Sequence, residues 1–267
     1  MNRKLLYPLL IILVTAALYY AEKYVDEKKE AYPNTAETTT SYAEFNEGFL
    51  PSSTTGDVVT HQYYTLSYVE AHEQAEWVAY ELKKEHLKNS DFKRPYFVAD
   101  RSVASGSADW RNYKNSGYDR GHLCPAADRE FDYDAYHETF LTSNISPQNR
   151  QFNGGIWNRL EQKTRYWAKK YDGVFVVTGG VLRDGLEHIG DEEVSVPQEF
   201  YKIILDKRSD GYQAIAFLIP NEGTDRSFYD YAVPIDAIEA KTGIDFFPKL
   251  SKQMQASFEA SVDRKAW

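Results

Sequence analysis

The sequence predicts an α+β fold, with an antiparallel sheet core flanked by helices. Three observations carry that expectation. Short runs rich in β-branched and aromatic residues recur along the chain, one long amphipathic helix interrupts them, and the two kinds of element show no regular strand–helix–strand alternation. A chain of 267 residues, 42% hydrophobic and 15% aromatic, holds enough apolar material for one large domain and a tail.

Residues 1–21 begin with Arg3 and Lys4, followed by an apolar run from Leu5 to Tyr20 interrupted by Pro8 and Thr15. Positive charges ahead of such a run are the pattern of an export signal. A cleaved signal peptide and an uncleaved membrane anchor both fit, and the run is short for a span, which takes about 20 residues. Either reading places the rest of the chain outside the cytoplasm: exported, periplasmic, extracellular or anchored and facing outward. Residues 22–56 join a charged cluster, Asp26 to Glu30, to a Thr/Ser-rich stretch ending at Thr55, and read as a flexible linker.

The domain proper is expected over 57–267. Strands are predicted over 61–68, 76–82 and 94–99, then a Gly/Ser/Asn-rich loop over 102–117. The clearest helix runs from about Asn149 to Lys170, with Phe152, Ile156, Leu160 and Trp167 on one stripe. Strands follow over 173–178, 200–205 and 212–219, and helices over 227–241 and 251–262.

The net charge of −9 argues against a nucleic-acid partner, because phosphate contact normally needs a basic surface. Its distribution reverses the argument. Between Asp91 and Lys170 there are 13 Lys+Arg and 10 Asp+Glu, a net of +3, and the acidity lies elsewhere. The single cysteine, Cys124, excludes an intramolecular disulfide and leaves the compartment open.

The residues that attract attention are Tyr118-Asp119-Arg120-Gly121-His122 and, downstream, Ser143-Asn144-Ile145-Ser146-Pro147-Gln148 with Asn153, Trp157, Leu160-Glu161 and Arg165. Asp-Arg-Gly-His followed by this second motif resembles the DNA/RNA non-specific endonuclease family, which includes endonuclease G, in the ββα-metal superfamily. Leu66-Ser67-Tyr68, Trp77-Val78-Ala79-Tyr80, Thr178-Gly179 and Phe217 to Asn221 resemble that family's strands, so the likeness covers roughly Asp57 to Leu250. The resemblance implies a ββα-metal nuclease fold. It also implies Mg2+-dependent hydrolysis of DNA and RNA with little sequence preference and 5′-phosphate products.

Phosphodiester hydrolysis needs a base for water, positive charge on the phosphate and help for the leaving oxygen. His122 suits the base, since imidazole titrates near working pH; the ordinary alternative is a histidine bonded to backbone. The resemblance makes Asn153 the one direct ligand of a single Mg2+, for which Mn2+ can substitute. A neutral amide oxygen is a hard ligand for such an ion, and a helix-cap role is the bland alternative. The resemblance also assigns Glu161 to the metal-bound waters and Arg165 to the phosphate, although an i,i+4 surface pair would look the same. On a regular helix these two lie about 80° and 120° around from Asn153. Arg94, with Arg101 as competitor, stands for the family's upstream phosphate-binding arginine. Arg120 is expected to contact phosphate or brace the motif. Asp119 is acceptor-only and is expected to orient His122 or its neighbours.

Two rivals belong to other classes. One is a catalytically silent, envelope-tethered binding module on the same scaffold, which the acidic remainder favours modestly. The other is a thiol hydrolase on Cys124, which no orienting third residue supports; a small buried residue is the preferred reading there. His137 and His188 lack partner spacing and read as surface loop residues.

Overall fold

The computed structural model describes residues 14–17, 20, 47–208 and 211–267. Two units divide the chain, Met1–Ser41 and Tyr42–Trp267. In the first, residues 14–17 and 20 are helical and exposed, and the remainder of the expected export segment lies outside the described residues. The second unit carries everything that follows.

Its frame is a seven-stranded antiparallel sheet in the order β1-β2-β3-β6-β9-β10-β11. The strands are β1 Asp57–Thr60, β2 Thr65–Val69, β3 Gln74–Lys83, β6 Gly173–Gly180, β9 Glu199–Arg208, β10 Gly211–Pro220 and β11 Ala232–Val233. Alternation along each strand divides the core in two. From β3, Val78, Tyr80 and Leu82 join Ile204, Phe217, Leu160 and Trp167 in one apolar cluster. Trp77 and Ala79 face the other way, with Tyr201, Ile203, Leu205 and Ile238. The main helix, α3 Asn158–Tyr171, covers the first face; α4 Ile235–Thr242 and α5 Lys252–Phe258 cover the second.

Three further elements sit beside the sheet. A two-stranded hairpin pairs β4 Tyr118–His122 with β5 Ile145–Asn149, and β7 His188–Ile189 pairs with β8 Val194–Ser195. Between β4 and β5 lies α1 Tyr133–Glu138, capped by Asp132, whose carboxylate accepts from the Asp134 and Ala135 N–H groups. Strand β5 runs directly into a short helical turn, α2 Arg150–Phe152, capped by the Asn149 side chain. Together with a π-helical turn over Asn153–Trp157, α2 leads into α3.

Several expectations need correction. The stretch expected as linker is already packed before residue 57. Phe49 is buried, stacks on Phe175 at 4.4 Å, and Ser52 O accepts the Trp77 indole N–H. Residues 94–99 form no strand; Pro95 lacks a donor, and only Val98 pairs, in a bridge to Leu141. The helix expected over 227–241 is broken at Pro234, which caps α4; a 3-10 turn, Phe228–Tyr231, and β11 precede it. His137 lies on α1 and His188 on β7, neither in a loop.

Strands β3 and β6 are held so close that a side chain at Gly179 has no room: a Cβ would stand 2.1 Å from Glu76 O. Gly179→Ala is therefore expected to lower stability by about 1–3 kcal/mol or more. Gly48→Ala, where a Cβ meets nothing within 4 Å, should change it by less than about 0.5 kcal/mol. Urea denaturation of the two variants measures the contrast, and equal midpoints would contradict this packing.

Candidate active site

The site is built on the β4–β5 hairpin and the helical segment it feeds. Register pairs Tyr118 with Asn149 and His122 with Ile145. Alternation sends Arg120 and His122 to one face of β4 and Asp119 and Gly121 to the other. Gly121 is required there, because a Cβ would fall 2.1 Å from the buried Gln148 side chain.

On the first face, His122 packs against two phenylalanines, with ring centroids 5.5 Å from Phe97 and 5.0 Å from Phe140. Arginines flank the same rings. The Arg94 guanidinium lies 5.8 Å from Phe97 and 5.3 Å from Phe140, and that of Arg120 lies 4.9 Å from Phe97. Both arginines are exposed, and Arg101 makes no such contact among the described residues. The His122 Nε2 is buried without a hydrogen-bond partner among the described residues. Burial, aided by the Arg94 charge, pushes the imidazole down to about 3. Below the ordinary histidine range it stays neutral, with a lone pair available.

On the second face, Asp119 does not reach His122. Its carboxylate accepts from Asn153 Nδ2 at 3.1 Å and from Arg150 Nε at 3.2 Å. That bond fixes which end of the amide is which: the nitrogen is turned to Asp119, and Asn153 Oδ1 remains as the acceptor. Asn153 is not the N-cap of its helix, since the Asn149 side chain performs that role. The angular positions expected for Glu161 and Arg165 also change. The π turn and the non-helical Gly155 (φ −104°, ψ −107°) intervene, so regular-helix geometry cannot be carried from Asn153 onward.

Glu161 and Arg165 project from α3 into a cluster of charges that the sequence reading missed. Arg165 donates to Asp128 Oδ1 at 2.8 Å, and the Tyr80 hydroxyl donates to Asp128 Oδ2 at 2.9 Å. Burial pushes Glu161 up to about 7, against the opposing pull of Lys202, with Asp128 adding to the rise and Arg165 resisting it. Lys202 is almost fully buried on β9, its ammonium 4.8 Å from the Trp157 ring and without a hydrogen-bond partner among the described residues. The signal for Lys202 was present, as a lone charge between Tyr201 and Ile203 in an apolar strand; Asp128 had none. A second pair, His61 Nε2 to Asp100 Oδ2 at 2.8 Å, with Ser143 donating to the same oxygen at 2.6 Å, clasps loops beside the site.

Cys124 is buried, its N–H donating to Asn144 Oδ1 at 2.8 Å, and burial pushes its thiol up to about 12. A thiolate nucleophile does not form there. Among the described residues no group of three or more His, Cys, Asp or Glu could hold a metal ion.

The hairpin running into a helix is a ββα unit set against a large antiparallel sheet, and it defines a ββα-metal scaffold. Within that class, the chain belongs to the DNA/RNA non-specific endonuclease family, whose profile matches residues 42–253. It is 37% identical to the mitochondrial nuclease EXOG of Danio rerio over 75% of this chain and 63% of that protein. It is 32% identical to human mitochondrial endonuclease G, over 70% and 68%, and 32% identical to a nuclease of Nostoc, over 81% and 83%. A chain from the crystal structure of the EndoG/EndoGI complex superposes with a TM-score of 0.73 at 29% identity, covering 82% of this chain and 96% of that one. The chain spans between 58% and 63% of the length of the EXOG relatives from four vertebrates.

The expected exported location is overturned. The relatives from Danio rerio, Xenopus laevis, mouse, human and yeast are named as mitochondrial nucleases. Among the described residues, no helix is long and apolar enough to cross a membrane.

Because His122 is held neutral by burial and by Arg94, its ring resonances should titrate well below pH 6.5. In Arg94→Gln, where a repelling charge is gone, the midpoint should rise. NMR titration of both proteins reads this directly, and a midpoint near 6.5 in the parent would contradict the burial.

Proposed function

We propose that this chain is a divalent-metal-dependent endonuclease that hydrolyses the phosphodiester backbone of DNA and RNA with little sequence preference, leaving 5′-phosphates. The observation that carries the reading is the His122 ring: neutral, unbonded at Nε2, and flanked by the exposed cations Arg94 and Arg120. A general base must be unprotonated and near the atom it serves, and two arginines beside it would hold a phosphate there. Substrate binding adds negative charge beside the ring and offsets Arg94, so the imidazole becomes a stronger base when it is needed. Contacts made through phosphates rather than base edges explain low sequence preference.

The donor set fits one hydrated Mg2+, which keeps most of its waters and takes few protein ligands. Asn153 Oδ1 would hold it, because the amide nitrogen is already committed to Asp119. Glu161 would accept from the ion's water shell. Bound there, the ion supplies charge neutralisation for the phosphate and the leaving 3′ oxygen. Asp119 orients the Asn153 amide, and Arg150 steadies Asp119 from its other oxygen. Arg165, fixed by Asp128, keeps positive charge beside Glu161 and would face the phosphate.

Plasmid DNA and total RNA incubated with Mg2+ should both be cut, and chelator should stop it. His122→Ala is expected to lose about 10²–10⁴-fold in rate, and Asn153→Ala to lose metal-dependent activity. Undiminished cleavage by either variant would sink the mechanism.

Glu161 gives a pH signature. Its folded pKa of about 7 lies above the ordinary carboxylate value of 4.5. Without metal, its contribution to stability is therefore complete below about pH 4.5 and is lost as pH rises through 7. An added cation favours the ionised form, so the thermal shift caused by Mg2+ should be larger at pH 8 than at pH 5.5. A shift independent of pH would remove Glu161 from the metal's surroundings.

A further inference from the structure

Helix α3 is anomalous in so acidic a protein. Its sequence, Asn158–Tyr171, carries five cations and one carboxylate, Glu161, whereas the whole chain has a net charge of −9. Part of that charge lines an open groove of about 320 Å³, bounded by Leu87, Lys88 and Asn89 on one wall and Gln162, Arg165, Tyr166 and Lys169 of α3 on the other, with Ala127 between. No carboxylate lines it. Lys88, Asn89 and Lys169 are exposed, and neither lysine has a carboxylate partner among the described residues. Tyr166 is 54% exposed, with the Lys163 ammonium 4.2 Å from its ring.

These residues form a sequence of chemistries that ends at the proposed catalytic set. Arg165 is at once the inner end of the groove and the neighbour of Glu161, one turn along α3. Lys169 stands a further turn outward, about 6 Å along the helix axis. Tyr166 offers an aromatic face between them, and bases of any identity stack on such a face. Two amides, Asn89 and Gln162, add neutral donors. A small anion would need only one of these groups, whereas a nucleic-acid strand uses cations and an exposed ring in succession.

We propose that this groove is a flanking subsite for a single nucleic-acid strand. Lys88 and Lys169 take phosphates flanking the scissile one, and Tyr166 stacks on a base. The inference rests on the nuclease reading above and adds to it the path by which the substrate leaves the catalytic set.

The test uses the full chain and Lys88→Gln/Lys169→Gln, neither position belonging to the catalytic set. Binding of a fluorescein-labelled single-stranded 20-mer is followed by anisotropy in chelator across a salt series. The double variant is expected to bind on the order of tenfold more weakly, with the slope of log K against log salt shallower by about 1.4. With Mg2+, kcat/KM on thymidine 5′-(p-nitrophenyl phosphate), too short to reach Lys88 or Lys169, should be unchanged, while KM on the 20-mer rises. Tyr166→Leu should weaken binding to oligothymidylate about fivefold or more and leave an abasic strand of equal length unaffected. Unaltered affinity and salt slope in the double variant overturn the subsite, as does an equal loss on the short and long substrates. If the parent protein cleaves neither substrate, the nuclease reading fails, and the anisotropy comparison still decides the groove.

Discussion

One hydrogen bond sets the geometry on which the site depends: Asn153 Nδ2 donates to Asp119 Oδ2 at 3.1 Å. Asp119 precedes His122 by three residues on β4, and alternation turns the two side chains to opposite faces. The strand therefore presents the His122 imidazole on one side and a bracing carboxylate on the other. The β4–β5 register sets where the partner arrives. Tyr118 opposite Asn149 brings the helix start level with Asp119, and Asn149 then caps α2 one turn before Asn153. A slip of one residue would reverse every side chain on β4 and separate the amide from its acceptor. Buried Gly121, pressed on Gln148, holds that register by leaving no slack.

The same economy of position explains the buried charges beneath α3. Glu161, Asp128, Arg165 and Lys202 share a region enclosed by Tyr80, Trp157 and the sheet. Two carboxylates and two cations balance, but not pairwise. Arg165 is bonded to Asp128, which leaves Glu161 with the charges of Lys202 and, more weakly, Arg165, and the Lys202 ammonium has no hydrogen bond among the described residues. A carboxyl raised to about 7 is one that gains from a further positive charge.

Much of this architecture was legible in the sequence, and the failures have physical causes. The stripe of Phe152, Ile156, Leu160 and Trp167 is fully buried, as its spacing requires, because burial follows the face and tolerates a π turn between its first members. Strands 76–82 and 200–205 were visible because alternation between two apolar layers is a local property of the chain. The hairpin partner of the Asp-Arg-Gly-His string was not, because Ser146-Pro147-Gln148 is polar and its burial comes from tertiary packing. For the same reason Phe97 and Phe140, which set the His122 environment, carried no local signal. They meet through the bridge between Val98 and Leu141 rather than within any one element. At Pro234 the opposite happened: a local breaker was present and was outweighed by the apolar content around it.

The acidic surplus of this chain is unevenly distributed. Below the sheet, Glu259 is pushed up to about 7 by burial and by Glu239, Asp236 and Asp245, so negative charge gathers around α4 and α5. Elsewhere lie α3's cations, Arg94 and the hairpin's Arg120. Packed layers stand about 10 Å apart, so charges on the two outer faces are separated by roughly two layers. At physiological salt the Debye length is about 8 Å, and solvent-exposed acids on one face scarcely reach a strand on the other. Net charge therefore misjudges this protein, because the sheet and the surrounding electrolyte divide it into two electrostatic sides. In the proposed reading, the phosphates would meet His122 and the α3 groove rather than the acidic surface around α4 and α5.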